Sequence, residues 1–326
     1  MRRFKNILFV ADSKLKGGDA LERAVSLAKN NRANLTVIDV VESVSAGIGM
    51  MDGGQISAKL KAAVVGAHAQ ELETWVDPFR KRVQIQTKIL TGMPFLEIIY
   101  EVLRNGHDLV IRIPETLDWL NRLFGSDDMH LLRKCPCPVW LIKPQAPKSY
   151  RCILAAVDVG GAYPPVELES RRALNLQILE MASSLALSDF AELHIVHAWH
   201  TVSESTMLGA LIDTPEDEII AYVEEVKQRY ADCLDGLMRE VTSNLGQDAV
   251  EYLKPQTHLL KGLASEKIPA LAKRIDADLV VMGTVARIGI PGLFMSNMAE
   301  TILNRIDCSV LAIKPEGFVT PVTLEE

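Results

Sequence analysis

The chain has 326 residues, about twice the usual domain size of roughly 100–150, so two domains are expected. Its 48% hydrophobic and 24% charged residues strike a globular balance, and no apolar run approaches the roughly 18–20 residues of a membrane span. Lys+Arg 35 against Asp+Glu 42 gives a net charge of −7, which argues against a broad nucleic-acid or anionic-membrane surface. Phosphate must then be held locally, by backbone N–H groups and a helix N-terminus. The opening MRRFKNILFVADS lacks a secretory layout, so a cytoplasmic protein without membrane insertion is expected. Cys135, Cys137, Cys152, Cys233 and Cys308 are too scattered for a disulfide framework. Cys135-Pro-Cys137 has no second pair to complete a zinc site, and Cys137, Cys152 and Cys308 read as small buried apolar residues.

Residues 6–11 form a continuous apolar run, the mark of a parallel strand buried on both faces. Leu21, Ala24, Val25 and Ala28 then follow helical spacing. A second strand is expected over 34–41, a long helix over about 56–82 and a third strand over 83–90. Pro94 opens a helix with Phe95, Ile98, Ile99, Val102 and Leu103 on one face. A fourth strand over 108–113, a short helix over 128–133 and a fifth strand over 139–143 complete the series.

The series then repeats. Ile7-Leu-Phe-Val-Ala-Asp12 recurs as Ile153-Leu-Ala-Ala-Val-Asp158, and His107-Asp-Leu-Val-Ile111 as Ala277-Asp-Leu-Val-Val281. Cys137-Pro-Val-Trp-Leu-Ile-Lys-Pro144 recurs as Cys308-Ser-Val-Leu-Ala-Ile-Lys-Pro315. In the second half Thr214-Pro215 reads as a helix start, with Ile219, Val223, Val226, Tyr230, Cys233 and Leu237 on the apolar stripe. A repeat this long is a whole domain rather than a solenoid unit. Two α/β domains are expected, over 1–146 and 149–315, joined at the proline-bracketed stretch 144–149 and followed by a tail over 316–326. Each is a doubly wound parallel five-stranded sheet of order 3-2-1-4-5 flanked by helices.

In such a sheet the ligand crevice lies beyond the carboxyl ends of strands one and four. Those ends carry Asp12 and Ile113 in the first half, and Asp158 and Gly283 in the second. Each aspartate reads either as a ligand contact or as a turn or cap residue. Val281-Met-Gly283-Thr-Val-Ala286-Arg287 leads by a loop to Ser296-Asn297-Met-Ala-Glu300. Loop amides there can cradle an anion, while Asn297 with Glu300 also reads as a capping box that needs no ligand.

The remaining signals are weaker. No P-loop and no dinucleotide glycine motif follows a strand, and Lys16-Gly-Gly-Asp19 reads as a turn. His194, His197 and His200 recur every three residues, so a strand turns 197 away from the other two and no metal site is expected. Arg112 ends an apolar strand either by snorkelling to solvent, the favoured reading, or by anchoring an anion. The Met-rich loops 45–54 and 202–212 either line an adaptable apolar pocket or pack against the neighbouring half. No catalytic constellation stands out.

The strand-one Asp, the glycine loop after strand four and the closing Cys-x-Val-x-x-Ile-Lys-Pro resemble the universal stress protein family. The duplication, with His130-Leu-Leu-Arg-Lys-Cys-Pro-Cys-Pro-Val-Trp, resembles its tandem E-type members. The resemblance implies a stress-response protein that binds a small ligand and is not an enzyme. The ligand implied is an adenine nucleotide, ATP or AMP. Asp158 would meet the adenosine end, and Gly283, Ala286, Arg287, Ser296 and Asn297 would serve the phosphates. The family pattern is Gly-x-x-Gly, nine residues, then Gly-Ser/Thr/Asn, so Ala286 and Ser296 stand where glycines are expected. Each added Cβ costs roughly 1 kcal/mol if the backbone needs positive φ, and two such changes weaken binding by more than about tenfold. In the first half Arg112-Ile-Pro114-Glu115 replaces the glycine start, which implies lost nucleotide binding there, although Gly125-Ser126 remains. The competing class is a binding module for an apolar metabolite or lipid fragment, or for a partner protein. An ATP-consuming enzyme is the third. The resemblance also implies that the two fifth strands pair, making an intrachain pseudo-dimer, with a C2 homodimer as a further association.

Overall fold

The computed structural model describes residues 4–11, 18–42, 55–114, 127–160, 164–201, 216–284 and 297–324. Asp12, Glu115, Gly125, Ser126, Ala286, Arg287, Ser296, both Met-rich loops and Thr214-Pro215 lie outside them.

The first half runs β1 (Asn6–Val10), α1 (Gly18–Asn31), β2 (Asn34–Val41), α2 (Gln55–Val76), β3 (Ile85–Thr91), α3 (Pro94–Asn105), β4 (Leu109–Arg112), α4 (Asp127–Lys134) and β5 (Val139–Leu141). The second runs β6 (Cys152–Ala156), α5 (Pro165–Asp189), β7 (Glu192–Trp199), α6 (Glu216–Leu245), α7 (Gln247–Leu253), β8 (Gln256–Lys261), α8 (Ala264–Arg274), β9 (Leu279–Gly283), α9 (Asn297–Leu303) and β10 (Ser309–Ile313). The long first-half helix ends earlier than its periodicity suggests. Asp77–Phe79 is a 3₁₀ turn, because Pro78 has no N–H to continue the ladder.

The strand order is β3-β2-β1-β4-β5-β10-β9-β6-β7-β8, so each half has the expected 3-2-1-4-5 order. The two five-stranded sheets are fused into one sheet of ten strands among the described residues. Strands pair in parallel within each half, and the seam is antiparallel, with Val310 opposite Leu141, Leu311 opposite Trp140 and Ala312 opposite Val139. Pairing at the seam removes two edges that would otherwise be free to template aggregation. No helix among the described residues is long and apolar enough to cross a membrane.

Alternate residues of each strand feed one of two cores. Ile7, Phe9, Trp140, Ile153 and Leu311 join α1, α2, α5 and α6 on one face. Leu8, Val10, Leu141, Leu154 and Val310 join α3, α4, α8 and α9 on the other. Both cores span the seam, which is why the central strands are apolar at every position except Ser309. The repeated Asp-Leu-Val has a structural reason as well. Asp108 accepts the backbone N–H groups of Lys5 (2.7 Å) and Asn6 (3.1 Å), and Asp278 those of Arg151 (2.6 Å) and Cys152 (3.1 Å). Each aspartate thus ties the start of its fourth strand to that of its first.

Candidate functional site

The crossover direction reverses between β6 and β9, and a cavity of about 280 Å³ opens at their carboxyl ends. Asp158 and Gly283 both line it, together with Arg171, Asn175, His197, Trp199 and Tyr230. Asn297 starts α9 and is exposed beside it, the neighbouring Met298 and Ala299 being part of the wall.

Asp158 follows the end of β6, and its side chain stays half exposed at the rim. Its backbone is clamped by one amide: Asp158 N donates to Asn175 Oδ1 (3.0 Å), and Asn175 Nδ2 donates to Asp158 O (2.8 Å). Its carboxylate is ion-paired with Arg171, which also donates to Glu167 Oε1 (2.9 Å). Glu167, Arg171 and Asn175 recur every four residues, so one face of α5 addresses the strand-one aspartate. Crowding by protein pushes the Asp158 carboxyl above its usual range, and the Arg171 charge opposes that shift.

An aromatic wall stands opposite. The His197 and Tyr230 rings lie 5.0 Å apart, and those of Trp199 and Tyr230 lie 6.1 Å apart. His197 is only 3% exposed, and burial holds its pKa below the usual value, so the ring is neutral. Nδ1 lies 3.2 Å from the Val157 carbonyl oxygen and 3.4 Å from the Val159 nitrogen. The shorter contact places the proton on Nδ1, donated to Val157, and leaves Nε2 a bare acceptor. Nε2 is buried with no hydrogen-bond partner among the described residues. A buried polar atom without a partner costs about 1–3 kcal/mol.

Two glycines shape this crevice. Gly160 has φ +74°, and a Cβ there would fall 2.9 Å from the Tyr230 ring. At Gly283 a Cβ would fall 2.7 Å from Leu174 Cδ2, in the opposite wall.

The structure extends the sequence reading at one point and differs from it at two. His197 does line the crevice, beside His200 just past the strand end, whereas His194 pairs with His258 (2.9 Å) elsewhere. Among the described residues no group of three or more His, Cys, Asp or Glu is placed to hold a metal ion. Second, Glu300 does not close a capping box with Asn297. Its Oε1 accepts from Arg133 Nε across the seam at 2.7 Å, and Asn297 is already helical. Third, Arg112 does not snorkel. It is 5% exposed, with Nε 2.9 Å from Asp128 Oδ1 of α4, itself 4% exposed. In the first half this internal ion pair stands at the strand-four end, where the second half has Met282 and Gly283 at its crevice.

Arg171, Asn175 and Trp199 went unnoticed in the sequence, and Tyr230 was read only as part of an apolar helical stripe. The four-residue spacing of 167, 171 and 175 is the signal that could have found the first two.

A family model described as the universal stress protein family matches residues 3–143 and again 169–314. Universal stress protein E of Escherichia coli is 29% identical over 334 residues, covering 100% of this chain and 99% of that protein. A universal stress protein E homolog of Haemophilus influenzae is 28% identical over 96% of this chain and 98% of its own. Among solved structures, a putative universal stress protein of Pseudomonas aeruginosa is 26% identical, with a TM-score of 0.66 over 96% of this chain and 94% of its own. One from Archaeoglobus fulgidus shares the fold at 16% identity, with a TM-score of 0.61 over 95% of this chain and 98% of its own.

Proposed function

Since the chain belongs to the universal stress protein family, as a tandem member carrying two copies of its domain, we propose that it serves the stress response by binding an adenine nucleotide, ATP or AMP, in its C-terminal crevice without fast turnover. The observation that carries this reading is the pairing of two acceptors with an aromatic wall. His197 Nε2 and the Asp158 carboxylate are hydrogen-bond acceptors at this crevice, and Trp199 and Tyr230 are among the residues that line it. A planar base with an exocyclic amino group satisfies both, and base–aromatic stacking contributes about 1–3 kcal/mol. Asp158 takes the adenosine end. Gly283, Ala286, Arg287, Ser296 and the Asn297 amide take the phosphates. The first half binds no nucleotide in this reading, because Arg112 already holds an internal carboxylate. The same proposal places the protein in the cytoplasm and allows two chains to associate with two-fold symmetry, which fractionation and solution mass check.

Titration calorimetry with ATP and with AMP tests the nucleotide, on the unaltered protein and on Ser296→Gly. Binding by both proteins, tighter in the glycine variant, is the expected result. No heat from either at millimolar ligand rejects the reading.

A second reading is favoured by the rest of the lining. Leu174, Ile178, Ile268, Met282 and Ile302 make much of the crevice apolar, which suits an acyl chain or another apolar metabolite. Native mass spectrometry of freshly purified protein separates the two, since a retained acyl-type mass supports this reading and a nucleotide mass the first.

A further inference from the structure

Away from the crevice, Cys135 and Cys137 flank Pro136 in the turn between α4 and β5, and their Sγ atoms lie 3.6 Å apart. Both thiols are free, with Cys135 fully buried and Cys137 7% exposed. Pro136 fixes one backbone angle of this short turn, so the contact is held without ordering a flexible loop. Beside the pair sits the side-chain nitrogen of Lys314, which arrives from the other half of the protein. Lys314 Nζ donates to the Leu132 carbonyl and to Thr284 Oγ1 (2.8 Å), closing the last turn of α4 immediately before Cys135.

The other buried thiols sit in a different field. Burial pushes both Cys152 and Cys308 up to about 12, which leaves them inert as nucleophiles. In the pair the two thiols divide the labour. The hydrogen bond to Cys135 and burial hold the Cys137 thiol well above its ordinary value, as the donor. Burial opposes ionisation of Cys135, yet the hydrogen bonds at Cys137 and the Lys314 charge draw it below its ordinary value. With the two sulfurs already in contact, oxidation of one places it within reach of the other as the resolving thiol. Among the described residues no third ligand stands by to make the pair a metal site.

We propose that Cys135 and Cys137 form a redox modification site whose substrate is a small hydroperoxide, which converts the pair to an intramolecular disulfide. The Cys135 thiolate attacks one peroxide oxygen and the O–O bond breaks. The departing oxygen takes the proton released when the Cys135 thiol ionised and leaves as water, or as an alcohol from an organic hydroperoxide. Cys135 is now a sulfenic acid. The Cys137 sulfur then attacks the Cys135 sulfur, so the S–S bond forms as the S–O bond breaks. The hydroxyl leaves with the Cys137 proton as water. Two electrons pass from the dithiol to the peroxide. A proton relay through Lys314 is not required, because its charge acts by favouring the thiolate.

The test treats the full-length protein with hydrogen peroxide, then denatures it, alkylates the remaining thiols and maps them by mass spectrometry. The expected product has lost two hydrogen atoms and two alkylation sites, both within the peptide holding 135 and 137, and a dithiol reductant restores them. A Cys152→Ala/Cys233→Ala/Cys308→Ala protein gives the same product. Cys135→Ser and Cys137→Ser do not. Lys314→Met slows the reaction by lowering the thiolate content of Cys135. The proposal is overturned if both thiols stay alkylatable while other cysteines oxidise. It is equally overturned if either bonds to a different cysteine, or if oxidation stops at unpaired sulfinic or sulfonic acid.

Discussion

Lys143 and Lys314 hold matching positions after the two central strands and reach across the seam in opposite senses. Lys143 Nζ meets Asp307, at 2.7 Å from Oδ1 and 3.2 Å from the carbonyl oxygen, just before β10. Lys314 Nζ meets the carbonyls of Leu132 and Arg133 at the end of α4, just before β5. The repeated Ile-Lys-Pro is therefore a reciprocal clasp, and the halves hold each other as well as themselves. The clasp is not symmetric in environment. Lys143 is partly open to solvent and faces a carboxylate, whereas Lys314 is buried among carbonyls, a hydroxyl, the Phe318 ring and the Cys135–Cys137 pair.

That asymmetry has a pH signature. Burial lowers Lys314 from its ordinary 10.5 to about 7. Between these values the unfolded chain binds a proton that the folded protein does not, so stability rises with pH across about 7 to 10.5. Below about 7 the folded state carries the full cost of a buried ammonium. In Lys314→Met this slope disappears, which urea titrations of both proteins at several pH values across that window measure. An unchanged slope would show that Lys314 is solvated.

The buried Arg112–Asp128 pair gives a second expectation. Removing one partner takes a close countercharge from a buried group, so Asp128→Ala lowers stability, by up to about 3–5 kcal/mol. Replacing both partners with apolar residues of similar volume, Arg112→Met with Asp128→Leu, returns to within about 1 kcal/mol of the parent or exceeds it. Denaturant midpoints of the two variants decide this. Recovery in the apolar pair would show that the ion pair is worth little against an apolar core.

The strands and the duplication were legible because strands buried on both faces leave only one sequence solution. Ile7 to Val10 and Leu109 to Ile111 are apolar at each position for that reason. Partners set by tertiary structure were not legible. Arg112 looked like a snorkelling residue because its carboxylate lies on a separate helix. Glu300 sits three residues after Asn297, as a capping motif requires, yet its charge is spent on Arg133, 167 positions away in sequence. Asp158 was found by the repeat, while its ion pair with Arg171 was visible only as a four-residue rhythm on α5.

The seam makes the two halves one cooperative unit. Leu311 is fully buried and sits opposite Trp140 across the antiparallel junction. Leu311→Ala costs about 2–5 kcal/mol through lost transfer energy and a residual cavity. Because both cores continue across the junction, amides of β1 and of β6 lose hydrogen-exchange protection by the same amount. Protection lost in the second half alone would show that the halves fold independently.

The most direct probe of the crevice is Gly160→Ala. The backbone there has φ +74°, where an L-residue costs about 1–2 kcal/mol, and the new Cβ would fall 2.9 Å from the Tyr230 ring. Tyr230 must therefore shift, taking the wall it builds with His197 and Trp199 out of register. With stacking contributing about 1–3 kcal/mol, ATP binding weakens by about tenfold or more. Gly106→Ala separates strain from site. Gly106 has φ +64° but open space around the added Cβ, and it caps α3 in the other half. That variant loses about 1–2 kcal/mol of stability and keeps the parent's ATP affinity. Calorimetry on the two variants, with stability read from urea unfolding, distinguishes local damage from general weakening. Equal ATP affinity in both would remove Tyr230 and its neighbours from the ligand site.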